Sequence, residues 1–499
     1  MKNLVFIFLF FLFFYVLTSG GHIVSSDGNT MFLLTKSIVE HGTVSVPYGN
    51  AFPGKDGRLY TKAGIGQAIL SIPLFLVGKL ASAFAPPGAA EFVQKFFVSL
   101  LAAFFTAGAC LILFLFGRAL GFNGRTSFIV ACGYGISTFA WPYAKYYTAE
   151  SILSFFFLSL FYFLYRGRNE RRSLFVFLAG ISGFFLILVK SATVVLLVPA
   201  SIFMLGPELR KKSASFFIPV AAGFGAMLLY NYARFGSPFQ SGYMNEGTPA
   251  GFSTPILVGL YGLLLSSGKS VFLYAPILIL SVCGLGLFLR RERSLAILLT
   301  VTFVLNLLLY AKFRAWAGDG SWGPRYLLPL LGPMLLPLLM VLEEGLPGKS
   351  PSLTRVLYKT LFVIGIFVQI GGATIYYGSY LREIGEYPYT REFTDPRFLA
   401  DSHFNPRFSP VAGHWEMLRK NAGSILNGTE KELSLSALSQ EGGRIPLGDE
   451  EKESLMGGID YWFYYSTRFG VPGSLNLALF VVISLLTISA FYFARRGLG

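Results

Sequence analysis

The chain has 499 residues, 54% hydrophobic and only 13% charged, with a mean hydropathy of +0.58. That charged share is about half the ~25% of a soluble domain, and a soluble protein of this composition would expose far too much apolar surface. A formal net charge of +15 would suggest nucleic acid in a soluble protein, but here Lys and Arg lie mostly in short loops between apolar runs. There they mark the cytoplasmic side, so nucleic acid is set aside as a partner and membrane lipids take its place.

The first apolar run, 4–18, resembles a signal-peptide core but lacks a small-x-small cleavage site, so it reads as a retained first helix. Further runs long enough to cross a bilayer follow near 92–117, 126–142, 151–165, 173–188, 191–208, 214–232, 270–289, 295–311, 325–342, 356–377 and 473–493. The expected architecture is therefore an all-α polytopic bundle of about 12 helices. The segment 66–83 contains Pro73 between Gly66 and Gly78. It reads as a broken helix in the outer interface, because a crossing there would put Lys2 opposite the other basic loops. The pair 173–188 and 191–208 reads as two short helices meeting at Lys190. Cys110, Cys132 and Cys283 lie inside apolar runs and read as packing residues.

This threading sends 22–91, the 141–150 turn, 233–269, 312–324 and 378–472 to the outer side. Those pieces carry the unusual polar residues. Asp27, in SSDGNTM, stands just past the first apolar run. It fits two roles: the N-cap of a helix beginning near Asn29, or a general base at the lipid–water boundary. Asp56 and Lys62 follow in the same loop. In WPYAKYYTAES the aromatics read as an interfacial belt with Lys145 snorkelling, and Glu150 opens a span. The stretches NYARFGSPFQSGY and LLLSSGKSVFLYAP are irregular at membrane depth, which is tolerated only inside protein or around a wet cavity. Within the second, Lys269 can meet a phosphate as a point charge. AKFRAWAGDGSWGPRYLLPL gathers Lys312, Arg314, Asp319 and Arg325. Arg325 begins a span from the outer side, against the positive-inside trend, and arginine grips phosphate with a bidentate fork.

Taken together, SSDGNTMFLLTKSIVEHG, DGRLYTKAGIGQAILSIPLFLVGKL, WPYAKYYTAESI, RFGSPFQSGY, LLLSSGKSVFLYAPIL and WGPRYLLPLL resemble the GT-C superfamily of membrane glycosyltransferases. More narrowly, they resemble the bacterial branch near protein O-mannosyltransferases and the lipid A aminoarabinose transferase. The resemblance covers most of residues 20–340. It implies a GT-C-like bundle with a large first outer loop, 22–91, carrying interfacial helices. It divides the chain into a catalytic module (1–377), an extracytoplasmic segment (378–472), and a last helix with a basic tail (473–499).

The implied reaction moves a sugar from a polyprenyl-phosphate donor to an acceptor hydroxyl on lipid, glycan or protein, with inversion. The implied location is a bacterial inner membrane, with the site facing the periplasm or exterior. Asp27 matches the loop acid, the expected general base. Many relatives have Asp-Glu there, whereas this chain has Asp27-Gly28. Glu150 is the expected source of the other carboxylate. Lys62, Lys190 and Arg325 match basic residues that line the donor-phosphate cavity, with Lys269 and Arg314 as further donor-phosphate candidates. No cofactor is implied, and the missing second acid leaves a divalent metal open. The competing class is a transporter or flippase of lipid-linked sugars. A transporter would place its ionisable residues near the midplane, often within inverted repeats.

Overall fold

Each apolar run of the sequence forms helix. The computed structural model describes residues 2–498 apart from 24, 86–88, 244–247, 347, 349, 390, 392–394, 396, 430–455 and 469–470. Helix α1 (Lys2–Leu17) leads to α2 (Ser26–His41), a short antiparallel hairpin of β1 (Ala51–Pro53) and β2 (Leu59–Thr61), and α3 (Gly66–Ser82). Next come α4 (Ala90–Ala119), α5 (Gly124–Ser137), α6 (Ala140–Tyr143), α7 (Ala149–Asn169) and α8 (Ser173–Val189). The 191–208 run is two pieces, α9 (Thr193–Leu196) and α10 (Val198–Met204). Then follow α11 (Ser213–Phe235), α12 (Ile256–Leu265), α13 (Val271–Tyr274), α14 (Leu278–Arg291) and α15 (Arg293–Lys312). The 325–342 run begins as a 3-10 turn at Arg325–Leu327 and continues as α16 (Leu328–Met334) and α17 (Pro337–Glu344). Pro337 opens the second piece, and the two halves meet at a bend of 45°. The chain closes with α18 (Pro351–Thr374), α19 (Tyr377–Glu383), α20 (Ala400–Phe404), α21 (Pro410–Leu426), α22 (Trp462–Arg468) and α23 (Gly473–Arg496).

Among the described residues, six helices are long and apolar enough to cross a membrane, or seven with the bent pair as one span. The chain is thus an all-α, multi-pass membrane protein. Several of the expected runs are shorter helices. The 126–142 run, for one, breaks after Ser137, where Thr138 turns extended and α6 begins.

The long helix α4 packs against α1, α3, α5 and α7. Its apolar window is 72% buried and that of α7 is 78% buried, against 17% for α11 and α23. The first two are the core of the bundle. The others present Ile218, Leu229, Leu477 and Ile488 outward, as lipid-facing helices do.

Two local expectations change. Residues 66–82 form one unbroken helix with Pro73 inside it, lying along α4. Its ring removes one backbone bond, and burial of Ala68, Ser71, Phe75 and Gly78 keeps the helix continuous. The aromatic belt is not at an exposed boundary. Trp141, Tyr143, Tyr146 and Tyr147 are all buried, and so is Lys145.

Candidate active site

The N-terminus of α2 is capped by Ser25, whose hydroxyl accepts from the Gly28 N–H at 2.9 Å. The capping role weighed for Asp27 therefore belongs to Ser25. Asp27 lies in the first turn, exposed, where the helix dipole favours a negative charge. Asn50 Nδ2 donates to its Oδ1 at 2.7 Å. The Asn50 N–H donates to Thr30 Oγ1 at 2.8 Å, so the 49–50 turn is held to the same helix face.

Gly28 has a steric cause. A Cβ there would meet the Tyr147 carbonyl oxygen at 2.8 Å, Ser25 Oγ at 2.8 Å and Ile23 Cγ2 at 2.9 Å. The first turn of α2 lies directly on the backbone of the α6–α7 turn, so no second acid fits beside Asp27.

Glu150 opens α7 and is buried. Its Oε1 lies 3.8 Å from Lys190 Nζ and 4.0 Å from Arg325 Nε. These are ion-pair distances rather than direct hydrogen bonds. Lys190, the residue closing α8, sits 4.5 Å from the ring centre of Tyr326 and 5.2 Å from that of Tyr310. The two tyrosines stack at 4.2 Å. Arg325 Nη2 donates to Tyr326 Oη at 3.0 Å, while its buried Nε has no hydrogen-bond partner among the described residues. One carboxylate thus faces two cations, leaving a local surplus of positive charge.

Lys62 follows β2, its ammonium 5.6 Å from the ring centre of Tyr243. A residue that no local sequence signal marks out fixes this position. Arg234, buried at the end of α11, donates through Nη1 to the carbonyls of Thr61 and Ala63, on either side of Lys62. Its guanidinium stacks 3.7 Å over Tyr230. The cavity beside Lys62 and Arg234 has a volume of about 20 Å³, room for one water rather than a sugar.

Lys269 is fully buried. Its ammonium donates to the carbonyls of Asp319 (3.1 Å), Ser321 and Gly323 (3.4 Å). Its three protons are spent on the loop ahead of Arg325 instead of facing an open phosphate pocket. Arg314 is partly buried, with its backbone N–H donating to Gly251 O at 2.8 Å. Among the described residues it takes no part in the Glu150–Lys190–Arg325 ion pairs.

The loop that Lys269 organises brings the rest together. Burial pushes the Asp319 carboxyl above its ordinary range. The positive charges of Arg325, Lys62 and Lys269 oppose that shift and the negative charge of Asp27 adds to it. The charges of Asp27, Lys62, Lys269 and Arg325 thus all act on Asp319, and Arg325 faces Glu150, which also faces Lys190. Among the described residues, no three His, Cys, Asp or Glu side chains are grouped so as to hold a metal ion.

Gly318 sets the direction of Arg325. Its φ is +72°, and an added Cβ would meet Arg325 Cγ at 2.7 Å and Nε at 2.8 Å. Gly318→Ala is expected to displace the guanidinium and to add about 1 kcal/mol of backbone strain. Activity should fall well beyond what so small a stability loss explains. Thermal unfolding measured beside the rate of the reaction proposed below checks this.

A second charged cluster was invisible in the sequence. Asp460 is 1% exposed: its Oδ1 is hydrogen-bonded to His22 Nε2 at 2.7 Å and accepts from Tyr465 Oη at 3.1 Å, and its Oδ2 forms an ion pair with Lys145 Nζ at 2.8 Å. Lys145 also donates to Ala373 O at 2.7 Å and to Asp460 O. It is a buried ion-pair partner rather than a snorkelling side chain.

No family model matches the sequence, and no curated protein matches it. Among solved structures, the chain is similar to ArnT from Cupriavidus metallidurans bound to undecaprenyl phosphate. That match has 13% identity and a TM-score of 0.47 over 91% of this chain and 86% of that one. The apo state of the same ArnT gives 11% identity and a TM-score of 0.49, over 98% and 76% of the two chains. The apo oligosaccharyltransferase of Archaeoglobus fulgidus gives 12% identity and a TM-score of 0.47, over 83% and 63%.

Proposed function

We propose that this chain is an inverting membrane glycosyltransferase that takes a sugar from a polyprenyl-phosphate carrier and gives it to an acceptor hydroxyl. The observation that carries the reading is the pair of cations, Lys190 and Arg325, held at ion-pair distance around Glu150, with the exposed carboxylate Asp27 and Lys62 near enough for their charges to act on Asp319 in the loop ahead of Arg325. The order of the quoted motifs along residues 20–340 supports it as well.

In this mechanism the acceptor O–H gives its proton to Asp27, which Asn50 holds in place. The acceptor oxygen forms a bond to the anomeric carbon as the bond from that carbon to the carrier phosphate oxygen breaks. The phosphate leaves with the electron pair. Cations fixed before the reaction stabilise its growing charge without reorganising, which is where electrostatic catalysis is strongest. Lys62 and Arg325 are the direct phosphate partners in this scheme, and Lys190 adds charge behind them. Glu150 serves as their counter-ion. Lys269 acts indirectly by holding the 319–323 loop, and Arg314 contributes at longer range. Residues 1–377 form the catalytic module, with the site on the periplasmic or exterior face of a bacterial inner membrane. The acceptor is a lipid, a glycan or a protein.

Purified protein in proteoliposomes with a polyprenyl-phosphate-linked sugar tests the reading. A glycosyltransferase yields a new glycoside and free polyprenyl phosphate. Movement of intact donor between leaflets with no new glycoside would mean a flippase, and the transferase reading would fail.

A further inference from the structure

Asp319 combines a left-handed backbone with a buried carboxylate oxygen that the described residues leave unpaired. It has φ +58°, in the left-handed region, immediately after Gly318 at +72°. Such a conformation is uncommon outside glycine and is found most readily with Asn and Asp. Its backbone is held at the carbonyl. The carbonyl accepts from Lys269 Nζ at 3.1 Å and from the Ser321 N–H at 2.8 Å. The side chain is different: Oδ1 is sealed from solvent and has no hydrogen-bond partner among the described residues. A buried acceptor left unmade is costly, and native structures keep few without a reason. Strain of this kind concentrates where a ligand is held.

The neighbourhood narrows what the ligand group is. Lys62, Lys269 and Arg325 act on the Asp319 carboxyl from one side of the charge balance and Asp27 from the other. A phosphate would be drawn to the cations and repelled by the carboxylate. The group that suits a carboxylate beside a phosphate site is a neutral donor, and a hydroxyl of the sugar joined to that phosphate is such a donor. Glu150, the other acid of the region, already faces Lys190 and Arg325. Gly28 leaves no room for an acid beside Asp27.

We propose that Asp319 is the second carboxylate of the site, and that it accepts a hydrogen bond from a hydroxyl of the transferred sugar. The assignment rests on the glycosyltransferase reading above. It gives the two acids different tasks, Asp27 toward the acceptor and Asp319 toward the sugar.

The left-handed backbone permits a clean test, since Gly and Asn both adopt it with little strain. Purified Asp319→Gly and Asp319→Asn are compared with wild type for thermal midpoint, for binding of sugar-free undecaprenyl phosphate, and for transfer from the polyprenyl-phosphate-linked sugar. The expected result is a midpoint and a carrier affinity no lower than wild type in both, since each change removes a charge that repels phosphate. Transfer should fall roughly 10- to 100-fold in Asp319→Gly, the loss of one charge-assisted hydrogen bond, and by less in Asp319→Asn, which keeps one acceptor oxygen. Full transfer by Asp319→Gly overturns the proposal. So does a parallel loss of undecaprenyl phosphate binding, which would place Asp319 at the carrier phosphate. A wild type inert toward the donor would overturn the underlying reading and this assignment with it. An active wild type beside an equally active Asp319→Gly would overturn this assignment alone.

Discussion

Asp27→Asn is expected to cut sugar transfer by about 10²–10⁴-fold, the usual loss for a positioned general base. That corresponds to roughly 3–5 kcal/mol of transition-state stabilisation. The same substitution should barely touch folding. Asp27 is exposed, and Ser25 rather than Asp27 caps α2. What Asn forfeits in the folded state is the attraction between the carboxylate and the helix N-terminus, on the order of 0.3–1 kcal/mol. The two magnitudes separate the competing roles. A purely structural Asp27 predicts a small fall in stability and a proportionate fall in activity. A base predicts a large loss of kcat with donor KM and thermal midpoint nearly unchanged. Rates and midpoints measured on the same preparation decide between them.

Asp460→Asn should have the opposite signature, a large loss of stability. It removes the charge that neutralises Lys145 and bonds His22, all three buried. Breaking a buried pair leaves an uncompensated charge and costs on the order of 3–5 kcal/mol. The link joins the turn after α1, the α6–α7 turn and the segment before α22, so the thermal midpoint of the whole chain should drop. A double replacement, Lys145→Met with Asp460→Leu, should recover part of the loss, because no buried charge is then stranded. If the single and double variants are equally unstable, lost packing rather than lost pairing is the cause.

The pH dependence follows from the same cluster. Burial alone would raise the Asp460 carboxyl, but the charges of Lys145 and His22 and their hydrogen bonds outweigh it and hold it well below the usual range. A carboxyl depressed in the folded state stabilises the protein fully above its unfolded value, near 3.9, and loses that stabilisation as pH falls toward the folded value. Wild type should therefore lose thermal stability steeply below about pH 4, and Asp460→Asn should show a shallower fall. Midpoints recorded from pH 7 downward check the difference in slope.

These two clusters also show what a linear sequence can reveal. Glu150, Lys190 and Arg325 were legible because each interrupts or ends an apolar run, where a charge needs a reason. Their convergence follows from helix ends meeting on one side of the bundle. The His22–Asp460–Lys145 cluster was not legible, because His22 and Asp460 lie 438 positions apart and no local pattern joins them. Lys145 was misread for the same cause. Beside four aromatics it matches an interfacial anchor, and only the distant Asp460 explains its burial. Pro73 suggested a break in 66–83, yet packing along α4 keeps the helix whole. Gly28 looked like a missing acid, and the Tyr147 carbonyl above it shows why no side chain fits. Asp319 stood in view within AGDGSW, but its left-handed backbone and unpartnered oxygen belong to the folded loop.

The central claim is tested most directly by the stoichiometry of one reaction. Purified wild type is given a polyprenyl-phosphate-linked sugar with membrane extract as acceptor, and free polyprenyl phosphate and newly attached sugar are both counted. The account predicts one carrier released for each sugar attached, with both products lost together in Asp27→Asn. Donor consumed with no sugar attached, or attachment that persists undiminished in Asp27→Asn, would contradict it.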